Sequence, residues 1–96
     1  MIRIELRLIG SLAGLAGKSE VAVALNADAS VRMLFQTLEG MFSDEFRHAL
    51  IDPELNDPRP RSLILVNDVE IGLLEELDTK LRDRDVVTIV PVTHGG

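Results

Sequence analysis

Val86-Val87-Thr88-Ile89-Val90 is β-branched at every position, and no other stretch of the chain commits so strongly to a strand. At the opposite end Ile2, Ile4, Leu6 and Leu8 alternate with Arg3, Glu5 and Arg7. That period of two marks a strand with one face on the core and one toward water. Both strands read as central, which predicts a mixed sheet in which the first and last strands lie parallel.

Working inward from these two, Val21, Val23 and Leu25 alternate with Ala22 and Ala24 and give a second strand. Residues Ser11 to Ser19 hold Gly14 and Gly17 and read as the connecting loop of a long-looped hairpin. The period then changes. Val31, Leu34, Phe35 and Leu38 fall on one face of a helix, with Ser30 as its N-cap and Gly40 expected in a left-handed C-terminal position. A second short helix is expected from Asp44 to Leu50, capped by Ser43. Pro53, Pro58 and Pro60 make Asp52 to Arg61 irregular. Leu63-Ile64-Leu65-Val66 reads as a strand, Asn67-Asp68 as a turn, Val69 to Ile71 as a short strand and Leu73 to Leu77 as a helical turn. The order predicts an α+β roll: a mixed four- to five-stranded sheet with one main helix across one face.

The chain has 96 residues, enough for one core and one domain. We expect a folded body over residues 1–92 and a flexible tail over 93–96. With 46% apolar and 27% charged residues, disorder is not the default. The net charge of −6 argues against direct nucleic-acid binding and favours a basic partner. Absence of cysteine excludes disulfides, thiolate metal sites and a cysteine nucleophile. No apolar run approaches the ~18 residues of a membrane span, and the alternating N-terminus is no signal peptide. The expectation is a soluble, cytoplasmic protein with no membrane partner.

Enzyme chemistry finds little to stand on. His48 and His94 lack the spaced partners of a metal site, and no phosphate-binding glycine loop is present. Phe35, Phe42 and Phe46 read as core filling, and His48 as a surface helix residue. The cluster Asp78, Arg82, Asp83, Arg84 and Asp85 reads as a solvated turn. The exception is Thr93-His94-Gly95-Gly96. A terminal glycine pair arises by chance in roughly 0.5% of chains. Lacking side chains, it can thread a narrow groove and present its carboxylate to an activating enzyme.

Leu63-Ile64-Leu65-Val66-Asn67-Asp68, then Glu75-Glu76-Leu77-Asp78, then Leu81 through Asp85, then Thr93-His94-Gly95-Gly96, resemble in that order the ubiquitin-related modifier family. The resemblance implies a ubiquitin-like β-grasp fold and a carrier that is not itself an enzyme. It implies that Gly96 is adenylated by an E1-like enzyme and converted, with a sulfurtransferase, to a thiocarboxylate. A tRNA-thiolating enzyme would pass that sulfur to wobble uridine, and attachment to target-protein lysines is a second use. Gly95 would be the spacer and His94 a tail contact. No cofactor is expected on this chain, ATP and magnesium belonging to the activating enzyme. Because it has no cysteine, any sulfur it carries must come from another protein.

Two rival readings follow from the same residues. Pro91-Val92-Thr93 is similar to the ending of the molybdopterin synthase small subunit, which donates sulfur in molybdenum cofactor biosynthesis. That relative commonly has no histidine before its glycines and has glycine where this chain has Arg84. The segment Phe42 to Pro60 is closer to the modifier family. The other rival is a passive ubiquitin-like adaptor. Strand alternation further predicts that Ile64, Val66, Val87 and Ile89 face the helix, leaving Leu63, Leu65, Val90 and Val92 as an outward docking patch. The competing arrangement folds Phe42 to Arg61 over those four side chains.

Overall fold

A β-branched run is stiff at χ1 and packs best with neighbours on both sides, and Val86–Pro91 (β5) accordingly lies in the middle of the sheet. The computed structural model describes residues 1–92. It has β1 (Ile2–Leu8), α1 (Ser11–Ala16), β2 (Glu20–Leu25), α2 (Val31–Glu39), α3 (Asp44–Leu50), β3 (Ser62–Val66), β4 (Val69–Glu70) and β5 in that order. Strand order across the sheet is β2-β1-β5-β3-β4. β1 and β5 pair in parallel, Glu5 opposite Val86 through Leu8 opposite Ile89, while β1–β2, β3–β5 and β3–β4 are antiparallel. A parallel pair needs a long crossover, and everything between β1 and β5 supplies it.

The core fills the space between one sheet face and the helices. Ile4, Leu6, Leu8, Ile64, Val87 and Ile89 are buried from the sheet, and Val31, Leu34, Phe35 and Leu38 from α2. α3 adds Phe46 and Leu50, and Phe42 packs against Phe46 with ring centroids 4.5 Å apart and planes tilted by 46°. The phenylalanines therefore fill the core as expected, and His48 is exposed. Both caps form: Ser30 Oγ accepts the Met33 N–H at 3.4 Å and Ser43 Oγ accepts the Phe46 N–H at 3.2 Å.

Four local expectations need revision. Residues 11–19 are not merely a loop, because Ser11–Ala16 is helical. Its length and its glycine give it little intrinsic propensity; burial of Leu12 to 1% exposure anchors it, and Gly17 closes it at φ 79°. Gly40 is not left-handed but sits at φ −95°. α2 instead ends in tight i→i+3 bonds, Gly40 N–H to Thr37 O and Met41 N–H to Leu38 O. The expected turn over 73–77 is two 3₁₀ turns, Ile71–Leu73 and Glu76–Asp78. The fourth strand is shorter than expected, ending at Glu70.

The Asn67-Asp68 turn is sharper than composition alone implies. Both residues have positive φ, 50° and 68°, the geometry of a two-residue hairpin turn of type I′. Asn67 also ties this turn to the sheet centre: its Nδ2 donates to Asp85 Oδ1 and its Oδ1 accepts the Val86 N–H, each at 2.9 Å. Asp85 Oδ2 in turn accepts the Arg82 N–H, and Asp83 Oδ1 accepts the Arg3 N–H, both at 2.8 Å. Within that charged turn, Asp83 and Asp85 therefore act as backbone acceptors, while Arg84 stands exposed at φ 70°.

Candidate functional site: the outer sheet face and the tail root

The helices cover one face of the sheet, so the identity of the other follows from strand parity. Ile64, Val66, Val87 and Ile89 are all buried, as alternation requires. On the opposite face Leu63 lies across from Val90, and Leu65 lies between Thr88 of β5 and Glu70 of β4. Leu63 is 41% exposed and Val92 44%; Leu65 and Val90 are half-buried. The segment 42–61 does not cover Leu63 or Val92, because Phe46, Leu50 and Ile51 commit it to the helical side of the core. Moving toward β1, the same face turns polar through Thr88, Arg7 and Glu5. The apolar strip is thus confined to the β3–β5 half.

Where β5 ends, the backbone is still held. Val92 donates its N–H to Arg61 O at 2.9 Å, and Arg61 Nη1 reaches back to His48 O at 3.1 Å. This hydrogen bond brings the chain to the edge of the Leu63 strip before residue 93. The expected tail residues His94, Gly95 and Gly96 lie outside the described residues, as does the expected tail segment 93–96 as a whole.

Beside Val92 the β3 edge faces the two 3₁₀ turns across a groove of about 430 Å³, lined by Ser62, Leu63, Glu70, Ile71, Glu76 and Val92 together with Arg59. Arg59 is engaged on one side by Asp57, with Nη2 to Oδ2 at 2.6 Å and Nε to Oδ1 at 3.0 Å, and its Nη1 donates to Glu76 Oε2 at 3.3 Å. The guanidinium hydrogen bond holds the Asp57 carboxyl below its usual value, partly opposed by burial, and Asp57 in turn raises Arg59. Glu70 is fixed as well: its Oε2 accepts the Gly72 N–H at 2.7 Å. Only glycine permits this approach, since a Cβ at position 72 would lie 2.5 Å from that oxygen.

Among the described residues no group of three or more His, Cys, Asp or Glu side chains is placed to hold a metal ion. No helix among them is long and apolar enough to cross a membrane. Sequence reasoning named Leu63, Leu65, Val90 and Val92, which the structure brings together at the tail root. It did not name Arg61, Glu70 or Ser62; the only available signal was Glu70 two residues before Gly72, which is not specific.

Comparison with known proteins adds a family to this geometry. The Arabidopsis thaliana ubiquitin-related modifier 1 homolog 2 is 47% identical over 38 residues, which are 40% of this chain and 38% of the relative's length. The Haloferax volcanii HVO 2177 protein shares 26% identity at a TM-score of 0.82, covering 99% of this chain and 87% of that one. Urm1 from Trypanosoma brucei shares 25% identity at 0.79, covering 98% and 95%. The two structural alignments run the length of the β-grasp body, and the five-stranded mixed sheet described above is the fold they share. The sequence pattern of the Urm1 (Ubiquitin related modifier) family matches residues 3–96 in one span, and the chain belongs to that family.

Proposed function

We propose that this protein is a sulfur carrier whose Gly96 carboxylate is adenylated by a separate E1-like enzyme and then converted to a thiocarboxylate. In the first step a Gly96 oxygen attacks the α-phosphorus of ATP, giving an acyl-adenylate and releasing pyrophosphate. In the second the outer sulfur of a sulfurtransferase persulfide displaces AMP, and a thiol then cleaves the resulting acyl disulfide, releasing the thiocarboxylate and leaving the thiol and the sulfurtransferase cysteine joined as a disulfide. Sulfur must come from that second protein, because this chain has no cysteine. The sulfur then goes to wobble uridine through a tRNA-thiolating enzyme, in the cytoplasm. Aminolysis of the same activated acyl group by a target-protein lysine gives the conjugated form.

One observation carries this reading: the family match extends over residues 3–96, His94-Gly95-Gly96 included, on a body whose last described residue, Val92, belongs to an uncovered apolar strip. On this reading Leu63, Leu65, Val90 and Val92 are the docking surface that seats the body while the tail enters the adenylation pocket. Desolvating them drives association. Gly95 and Gly96 suit the pocket because no Cβ obstructs it. The chain itself performs no bond chemistry beyond presenting the acyl group.

The test is reconstitution with the cognate adenylating enzyme, ATP, magnesium and a sulfur donor. Intact mass should rise by the exchange of one oxygen for one sulfur, localised to Gly96 by fragmentation. A chain that stays unmodified while the same enzyme thiolates another Gly-Gly protein overturns the assignment.

A further inference from the structure

We propose that Lys18 is an acylation site for the chain's own tail: once Gly96 is activated, its acyl group closes on the Lys18 amine and locks the carrier as an intramolecular amide. The inference rests on the sulfur-carrier reading above and adds a second fate for the same activated group.

Amines are scarce on this chain. Eight of its ten basic side chains are arginine, whose guanidinium stays protonated and is no nucleophile at neutral pH. The amines open to acylation are Lys18, Lys80 and the Met1 amino group. Topology separates the three. β5 runs parallel to β1 with Leu8 opposite Ile89, so the chain leaves β5 at the end of the sheet where β1 finishes. Met1 stands at the other end. It is seven residues before Leu8, and Val92 is three beyond Ile89, which puts them roughly 33 Å apart along the strands. That is twice the ~17 Å that residues 92–96 can span. Lys80 shares the end of Met1: its Nζ donates to Asp28 O at 3.1 Å, and Leu81 N–H donates to Ala29 O at 2.9 Å. Both acceptors follow Leu25, the residue opposite Ile2.

Lys18 is on the tail's side. Leu8 N–H donates to Ser19 O at 2.8 Å and Ile9 N–H to Ile89 O at 3.1 Å, so Ser19, Leu8 and Ile89 lie in one row across the sheet. Two strand spacings separate the ends of that row by about 10 Å. Val92 stands about 10 Å beyond the row and Lys18 about 3 Å, in the same direction, so their backbones are about 12 Å apart. The tail's ~17 Å and the roughly 6 Å of a lysine stem exceed that gap, with slack to pass around α1. Lys18 is also exposed, and it makes no hydrogen bond or ion pair with any described residue.

The step balances without a further reagent. The unprotonated Lys18 nitrogen attacks the Gly96 carbonyl carbon of the acyl-adenylate and a C–N bond forms. The C–O bond to the phosphate breaks, AMP leaves, and the nitrogen's proton passes to water. Relative to the starting chain the product has lost one water. A tethered amine competes at an effective concentration on the order of 1 mM, about a hundredfold above an external amine at ~10 μM. Sulfur delivery and closure thus draw on one acyl group. With persulfide supplied the chain leaves as a thiocarboxylate; without it the tail is tied to the body and the chain drops out of the carrier cycle.

The experiment incubates the full chain with the cognate adenylating enzyme, ATP and magnesium, without a sulfur donor. Pyrophosphate exchange reports adenylation and intact mass reports closure. Wild type should exchange pyrophosphate and yield a monomer lighter by one water, with peptide mapping placing the amide between Gly96 and Lys18. The closed fraction should be independent of carrier concentration. Lys18→Arg keeps the charge; it should exchange pyrophosphate as wild type does and lose the closed product, whereas Lys80→Arg should retain it. Exchange with no loss of water, a closed product that persists in Lys18→Arg, or a product joined only between two copies overturns Lys18 as the internal acceptor and leaves the carrier reading intact. Wild type that exchanges no pyrophosphate overturns both.

Discussion

Replacing Leu63 and Val92 together by alanine should weaken association with the activating enzyme by roughly ten- to thirtyfold while the protein stays folded. The magnitude follows from how much of each side chain is still open to water. Leu63 is 41% and Val92 44% exposed. Complete burial of such side chains stabilises by ~1.5–3 kcal/mol, so the part left to bury on docking is worth about 1 kcal/mol at Leu63 and a little less at Val92. Their sum of about 1.5–2 kcal/mol converts at ~1.4 kcal/mol per factor of ten. The already packed part of Leu63 sets a cost to folding of about 1–1.5 kcal/mol, small beside the ~5–15 kcal/mol of an ordinary domain. Calorimetric titration gives the affinity, and a thermal melt of the free variant verifies the fold. Wild-type affinity in a variant that melts cooperatively would refute the assignment of this strip as the docking surface.

Three further outcomes test the physical reading of the fold. Arg84 holds φ 70° with its side chain 93% exposed, so Arg84→Gly should raise stability by about 0.5–1 kcal/mol, the ~1–2 kcal/mol left-handed cost less the ~0.5–1 kcal/mol entropy of glycine. That is a gain of a few degrees in melting temperature; Arg84→Ala, which removes the charge but keeps Cβ, should show no gain. The Asp57 carboxyl is depressed in the folded state by its hydrogen bond to Arg59, so its contribution is complete above the ordinary carboxylate value of about 3.9 and is lost as pH falls through the folded value. Denaturant titrations should find Asp57→Asn less stable by on the order of 1 kcal/mol at neutral pH, the gap from wild type closing on acidification below about pH 4. Gly72→Ala should be less favourable in wild type than in a Glu70→Ala background by about 1 kcal/mol, the hydrogen bond lost when Cβ pushes Glu70 off its turn; equal effects in a double-mutant cycle would show that the two residues are uncoupled.

How far the fold could be read from sequence depended on whether periodicity or tertiary contact settled each element. β1, β5 and α2 were legible because their apolar positions repeat at strand or helix spacing, and Ser30 and Ser43 were legible as caps because their chemistry is local. The parallel pairing of β1 and β5 followed from both strands looking central. α1 was not legible: a six-residue helix containing Gly14 has no strong local signal, and what forms it is the burial of Leu12. Gly40 misled because its freedom permits a left-handed end without requiring one. The apolar strip was legible through alternation, whereas the groove was not. It joins Arg59, Ser62, Glu70, Glu76 and Val92, which only the β3–β5 register and the Arg59 brace bring together.

The hydrogen bond from Val92 N–H to Arg61 O pins the point at which the body hands over to its last four residues. A fully stretched chain gains at most ~3.3–3.6 Å per residue, so the Gly96 carboxyl lies within about 17 Å of the Val92 nitrogen. The anchor works as a ruler. If the proposed activation holds, an enzyme that grips the body at Leu63 has to keep its nucleotide within that reach, and one whose grip and pocket are spaced more widely could not use this carrier.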